Sequence, residues 1–257
     1  MQISGITIAI CTRNRATLLE GAVISALSQT CEGLCVEVLV VDNASTDSTS
    51  SVIAQLKQAH PKLKHVIEAN AGLSKARNRA LREASQPVIA FVDDDGILCP
   101  GYASALAAAW NEWQPACAGG PIAIEYIDTP PPGWSAAHEI MRGRYDQGGQ
   151  ARLVVFGDYP EGCNIAFDRL LALEAGGFDE NLGVKPEEPW AGEETELCAF
   201  LSATGRRILY HPELKVTHRL ERRERSAAWL WRMAQYRGRS HFHVCRTYFK
   251  RVGWLLF

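Results

Sequence analysis

Three consecutive aspartates, Asp93, Asp94 and Asp95, follow the apolar run Val88–Val92 and precede Gly96. Adjacent carboxylates repel one another unless a cation neutralises them. Oxygen ligands at this density suit Mg²⁺ or Mn²⁺, which keep part of their water and share phosphate oxygens. The plainer reading is a solvated acidic turn before the next helix. A second carboxylate, Asp42, ends the run Val36–Val41, in Val40-Val41-Asp42-Asn43-Ala44-Ser45. A third run, Ile3–Cys11, exits into Thr12-Arg13-Asn14-Arg15. No glycine-rich loop occurs there, which argues against a dinucleotide fold and a P-loop, because both need glycines for backbone to approach phosphates.

Asn70-Ala71-Gly72-Leu73-Ser74-Lys75-Ala76-Arg77-Asn78 reads as a helix start with Lys75 and Arg77 in its first two turns. That arrangement suits a diphosphate, or else a solvated helix face. Glu193-Glu194-Thr195-Glu196 places acids in the first turn of another helix. The helix dipole favours them there without any function; the functional reading is a general base aimed at a hydroxyl nucleophile. His218 leaves a strand after that acidic helix, in position to return to a metal at the aspartates, although a lone histidine is more often structural.

The elements that must position these residues alternate. Ile3–Cys11, Val36–Val41, Leu63–Ile67 and Val88–Val92 read as strands. Residues 16–29, a segment capped by Asp47, and Ala71–Ala84 read as helices. Four such alternations in about a hundred residues predict a largely parallel sheet with right-handed crossovers and ligands at the carboxyl ends of its strands. The second half is less regular. Helices are expected at Tyr102–Trp113, Asp168–Ala175 and Gly192–Ala203, and extended segments at Cys117–Tyr126, Gly162–Phe167, Arg207–Tyr210 and Leu214–Val216. Residues 128–150, with Pro130-Pro131-Pro132-Gly133 and Gly148-Gly149, read as a long loop, and Ser226 onward as a basic, Trp-rich helix or pair of helices.

Of the 257 residues, 47% are hydrophobic and 22% charged, which excludes a disordered or fibrous chain. The formal charge of −2 is divided unevenly. Residues 1–205 carry 14 Lys and Arg against 26 Asp and Glu, and residues 206–257 carry 13 against 3. An acidic body with a basic end argues against nucleic acid as a partner and leaves room for an anionic partner at the C-terminal end. The eight cysteines have no zinc-site spacing. With no basic and apolar leader and no apolar run of about 18 residues, reduced thiols in the cytoplasm are expected.

In order and spacing these motifs resemble the inverting glycosyltransferases of family 2, from about Ile6 to about His218. The resemblance implies a GT-A fold: one Rossmann-like, mostly parallel sheet flanked by helices, here with a C-terminal helical tail. It implies a domain over 1–220, with a nucleotide-binding part of about 1–98 and an acceptor-side part of about 99–220, followed by a basic, aromatic extension over 221–257. By the same resemblance Thr12, Arg13, Asn14, Asp42, Asn70, Gly72, Arg77, Asp93 and Asp94 would hold a nucleotide-diphosphate sugar, with Asp42 on the base and Asp93 or Asp94 on the ribose. Asp95, with Asp93 and His218, would hold Mn²⁺ or Mg²⁺. Gly162-Cys163-Asn164-Ile165-Ala166-Phe167 and Gly176-Gly177-Phe178-Asp179-Glu180 match the acceptor-side signature.

The family has Glu-Asp where this chain has Glu193-Glu194, and the second acid is its base, which points to Glu194 rather than Glu193. The implied reaction is one metal-assisted displacement that moves a sugar, UDP-linked being the commonest donor, to a saccharide or lipid-linked hydroxyl. A sugar-phosphate nucleotidyltransferase, a non-catalytic nucleotide-sugar-binding module and a metal-dependent phosphohydrolase are the competing classes. For the tail two readings stand. It packs on the acidic body, or its Trp, Tyr and Arg residues lie on the cytoplasmic face of a membrane.

Overall fold

The structure is a computed structural model that describes residues 2–130, 133–155, 157–185, 191–221 and 227–253. Trp190, Ser226 and the terminal Trp254-Leu255-Leu256-Phe257 lie outside the described residues, as do the side chains of Trp229, Met233, Arg237, Tyr248, Phe249, Lys250 and Arg251. The first half runs β1 (Gly5–Thr12), α1 (Ala16–Leu27), β2 (Cys35–Asp42), α2 (Thr49–Ala59), β3 (Lys64–Ile67), α3 (Leu73–Glu83) and β4 (Val88–Asp93). Next come β5 (Gly96–Leu98), α4 (Tyr102–Trp113), β6 (Cys117–Gly119), β7 (Ile122–Tyr126), α5 (Ala136–Met141) and β8 (Arg152–Leu153). The chain continues through β9 (Asn164–Asp168), α6 (Arg169–Glu174), α7 (Glu193–Ala203), β10 (Ile208–Tyr210), β11 (Val216–Leu220) and α8 (Ala227–Gly253).

An eight-stranded sheet has the order β3-β2-β1-β4-β9-β6-β10-β8. Its first four strands are parallel, and β9 runs antiparallel between β4 and β6. Alternating side chains explain why these strands read as continuous apolar runs. Ile6, Ile8, Ile10, Val38 and Val40 join one core cluster with residues of α1, α2 and α4. Ala9, Leu39, Val41, Ile89 and Phe91 join a second with residues of α3, α6 and α7. A sheet buried on both faces needs apolar residues at every position.

Register makes the carboxyl edge level. Thr12 pairs with Asp42 on one side of β1, and Cys11 with Asp93 on the other. The chain leaves β1 toward β2 and reaches β4 on the far side, so β1 and β4 flank a topological switch point, where α/β sheets bind ligands.

Four local expectations change. The extended run 117–126 splits into β6 and β7, which lie in different sheets. The split falls at Gly120, where a Cβ would meet the carbonyl oxygens of His211 and Leu214 at 2.4 Å. The loop 128–150 contains α5, and the strand expected at 214–216 starts at Val216 and runs to Leu220. Helix α2 begins at Thr49, whose N–H donates to Asp47 Oδ1 at 2.9 Å, so Asp47 supports the helix from just outside it.

Beside the large sheet lies an unexpected three-stranded one, β5-β11-β7. It pairs His218 with Gly96 across β11 and β5, which carries the histidine to the aspartate turn. The tail is a single helix, α8, over its described length. No described helix is long and apolar enough to cross a membrane.

Candidate active site

The turn from β4 to β5 packs three carboxylates against the Arg15 guanidinium and the His218 imidazole. Arg15, on the exit of β1, donates from Nε to Asp94 Oδ1 at 3.1 Å and from Nη2 to Asp95 Oδ2. His218 Nε2 lies 3.2 Å from Asp95 Oδ1; Asp94, Asp95 and His218 are buried, and Arg15 is half-buried. Burial works to raise the Asp95 carboxyl, but His218 and Arg15 hold it well below the usual carboxylate range. Asp94 is pushed up to about 7 by burial and by Asp95, against Arg15. Asp93 is raised by burial, with Arg77 opposing. Burial lowers the His218 imidazole while Asp95 raises it, and the net direction is up.

The donor set fits a divalent cation. Carboxylate oxygens of Asp93 and Asp95 and the Cys163 sulfur can all come within 4.8 Å of one another. Burial keeps the Cys163 thiol far above its ordinary value, and hard cations such as Mg²⁺ and Mn²⁺ favour the carboxylate oxygens over sulfur. The second ring nitrogen of His218, Nδ1, is buried with no hydrogen-bond partner among the described residues. The two carboxylates suit Mn²⁺ or Mg²⁺, and His218 stands behind them, with Nε2 on Asp95 Oδ1.

A cavity of about 360 Å³ opens on this edge, lined by Thr12, Arg13, Arg15, Asn43, the three aspartates, Arg142, Lys185 and His218 among others. The other residues singled out in the sequence split between lining this cavity and holding its walls. Arg13 Nη1 donates to the carbonyls of Asn43 and Ala44, both at 2.8 Å. Asn14 Oδ1 accepts from Thr46 N at 2.8 Å. Asp42 is buried, with Oδ1 accepting from Ser45 N at 3.0 Å and Oδ2 from Ser50 Oγ at 2.7 Å. Asn70 is exposed and donates to Glu68 Oε1. Gly72 N donates to Asn43 Oδ1 at 2.7 Å. Asn43 thereby ties β2 to the start of α3, and sequence reasoning did not single it out. Arg15, Arg142 and Lys185 were missed as well. Arg15 stands in the quoted turn, whereas Arg142 and Lys185 fall in irregular segments with no pattern to mark them. Lys75 does not line the cavity.

Arg77 joins this edge to the acids of α7. Its guanidinium is buried, flanked by the Phe91 and Phe178 rings at 5.7 and 5.6 Å. Nη1 binds Glu193 Oε1 at 2.6 Å and stands 3.9 Å from Glu194 Oε2. Nη2 reaches Asp93 Oδ1 at 3.4 Å and the Gly162 carbonyl at 3.0 Å. A Cβ at Gly162 would sit 2.7 Å from Nη2, so a larger residue there would push the guanidinium out of this position. Burial and the adjacent Glu194 push Glu193 up to about 8, against Arg77.

The two glutamates differ in setting. Glu193 is enclosed, with 3% of its side chain exposed, and Glu194 has 13%. Glu194 lines a second cavity of about 460 Å³, together with Tyr159, Glu161, Thr195, Ser240 and His241. Helix α8 closes that cavity: Ser240 Oγ accepts from Ala191 N at 2.9 Å, and Val244 packs at Gly192.

A parallel edge of strand-end carboxylates, an antiparallel β9 beside β4 and a second sheet that returns a histidine give a fold of the GT-A type. The chain belongs to glycosyl transferase family 2, whose model matches residues 7–171. A glucosyl-dolichyl phosphate glucuronosyltransferase of Haloferax volcanii is 25% identical over 235 residues, 88% of this chain and 72% of that protein. A GalNAc(5)-diNAcBac-PP-undecaprenol beta-1,3-glucosyltransferase of Campylobacter jejuni is 33% identical over 109 residues, 42% of this chain and 35% of that protein. Among solved structures, a mannosyltransferase of Pyrobaculum calidifontis in complex with GDP-Man and Mn²⁺ superposes with a TM-score of 0.68. It is 22% identical and is matched over 98% of this chain and 68% of its own. Staphylococcus aureus TarS in complex with UDP-GlcNAc gives 0.62 at 19% identity, over 84% of this chain and 58% of that one.

Proposed function

We propose that this glycosyltransferase moves a sugar from a nucleotide-diphosphate donor in the first cavity to an acceptor hydroxyl in the second, with inversion. One observation carries the reading: a single buried guanidinium, Arg77, contacts Asp93 on the first cavity and the acid pair whose second member lines the other. The reacting carbon then lies where the two cavities approach one another. Solved neighbours in complex with GDP-Man and Mn²⁺ or with UDP-GlcNAc support a nucleotide-sugar donor, with a UDP-sugar our first candidate. Relatives named for dolichyl phosphate and undecaprenol diphosphate carriers support a lipid-linked acceptor, with a free saccharide the other candidate.

The roles follow from position. Glu194 takes the proton of the acceptor hydroxyl as its oxygen attacks the anomeric carbon and the bond to the diphosphate breaks. Glu193, bound to Arg77, and Arg77 itself hold Glu194 in place. Arg142 and Lys185 face the diphosphate with fixed positive charge. Asp93, Asp95 and His218 would hold Mn²⁺ or Mg²⁺, which when bound offsets the charge developing on the leaving group. Thr12, Asp42, Asn70, Gly72 and Asp94, with the braces Arg13 and Asn14, shape the nucleotide side.

The test is a thermal-shift screen of nucleotide sugars with and without Mn²⁺, followed by transfer to a lipid-linked acceptor with the product anomer read by NMR. One donor that stabilises the protein only with metal, and a product of inverted configuration, are expected. Donor hydrolysis at full rate without acceptor would overturn the reading in favour of a phosphohydrolase. A product of retained configuration would overturn the single displacement.

A further inference from the structure

Helix α8 has two unlike sides. One is buried, where Ser240 and Val244 pack against the start of α7. On the other, Trp231 is 68% and Phe242 70% exposed. Eleven residues separate these rings, close to three full turns at about 100° per residue, so they project along one line. Arg232, Arg239 and Arg246 are also exposed and recur every seven residues, forming a cationic ladder beside that line with rungs about 10 Å apart. No Asp or Glu occurs anywhere from Arg225 to Phe257. A shallow groove along this face is lined by Gln235, Gly238, Arg239, Phe242 and Arg246.

The alternative that the tail exists to pack on the acidic body accounts for the Ser240 side only. It leaves the aromatic and arginine side facing water, away from the core. A row of aromatics beside a row of arginines matches an interface that is apolar within and anionic at its rim. Indole and phenyl rings settle at the headgroup level of a bilayer, and guanidinium groups pair with lipid phosphates. A second copy of this chain is a poor occupant, because a two-fold contact would set arginine ladder against arginine ladder with no acid to offset it.

We propose that this face of α8 docks the protein on an anionic phospholipid surface, with Trp231 and Phe242 in the interface and Arg232, Arg239 and Arg246 on lipid phosphates. The opposite, buried side of the same helix lines the Glu194 cavity, so docking brings that cavity to within one helix diameter, roughly 10 Å, of the surface from which a lipid-linked acceptor is reached. This last step rests on the transferase reading; the docking itself does not.

The experiment is co-sedimentation of the full chain with phosphatidylcholine vesicles, with and without phosphatidylglycerol, across a salt titration. Binding that requires phosphatidylglycerol and falls with salt is expected. Each Arg→Gln change at 232, 239 or 246 should lower partitioning about fivefold, the triple variant about 100-fold, and Trp231→Ala or Phe242→Ala about tenfold. Arg→Lys at the three positions should retain most of the binding, which keeps the test decisive if the triple Gln variant folds poorly. Three results would each overturn the proposal: wild-type protein left in the supernatant at low salt; an Arg→Gln triple variant that is folded and binds like wild type; and a wild-type dimer in light scattering that Trp231→Ala or Phe242→Ala turns into a monomer. No donor or acceptor is present, so failure here leaves the transferase reading standing, and failure of transfer leaves vesicle binding readable.

Discussion

At the first cavity every acid stands at the exit of a strand; at the second, the acid pair Glu193-Glu194 stands at the start of a helix. The first group is held by ladders of backbone hydrogen bonds. Asp42 and Asp93 are level because β1 pairs with both their strands in one register. The second group is held by a few side chains: Arg77 from α3, and Ser240 from a helix nearly fifty residues downstream. One end is therefore rigid by construction, and the other can be released by changing single residues. A transferase has use for both. The leaving group needs charges fixed in advance, while different acceptors need a wall that evolution can rebuild without disturbing the sheet.

The largest expected effect separates the two ends chemically. Glu194→Gln should lower transfer on the order of 10³-fold with donor affinity nearly unchanged, because a general base acts in the transition state. Glu193→Gln should cost less, since that carboxyl is enclosed against Arg77 and does not line the acceptor cavity. Donor binding by calorimetry beside steady-state rates checks the pair, and the reverse ranking would move the base to Glu193. Asp95→Asn should do the opposite at the rigid end. Donor binding should lose its Mn²⁺ dependence and turnover fall about 10²-fold, measured by titrating metal against donor affinity. Full activity in EDTA would remove the metal from the site.

The same contrast explains what the sequence discloses. β1, β2 and β4 are legible because strands buried on both faces are unbroken apolar runs, and an acid at the end of such a run stands out. The second half is assembled from strands of two or three residues, β5, β6, β8 and β10, too short to show any period. His218 could be marked as a candidate, but its approach to Asp95 comes from the pairing of β11 with β5, which no local pattern encodes. Nothing local marks Arg15, because its partners lie 79 and 80 residues away. The difference between Glu193 and Glu194 is one of burial, which two adjacent identical residues cannot announce.

Ser240→Ala tests how far the helix-held end depends on α8. The change removes the acceptor for Ala191 N–H at a buried site. It should cost about 1 kcal/mol of stability and lower transfer several-fold, with donor affinity unmoved. Urea denaturation and paired kinetic and binding assays check this. Donor affinity that falls together with transfer would mean that the two cavities are not independently held.

The smallest effect belongs to the other end of the parallel strands. Glu37, on β2, accepts from Thr7 Oγ1 at 2.8 Å and from Ser85 N at 3.0 Å, and is paired with Lys64 of β3. Burial pushes its carboxyl up, yet these donors prevail and hold it below its ordinary value of 4.5. A depressed folded value means that the folded state binds the proton less tightly than the unfolded one. The stabilisation is therefore complete above the unfolded value and is lost as pH falls through the folded one. Half of the Lys64 side chain is in water, so the contribution stays below about 1 kcal/mol. Urea denaturation of wild type and Glu37→Gln should differ by that amount at neutral pH, and the gap should close as pH drops below about 4.5. Donor affinity should not change, because register along the whole of β1 and β2, rather than this brace at their amino-terminal end, keeps Asp42 level with Thr12. A loss of donor binding in Glu37→Gln at neutral pH would show that the edge depends on its far end after all.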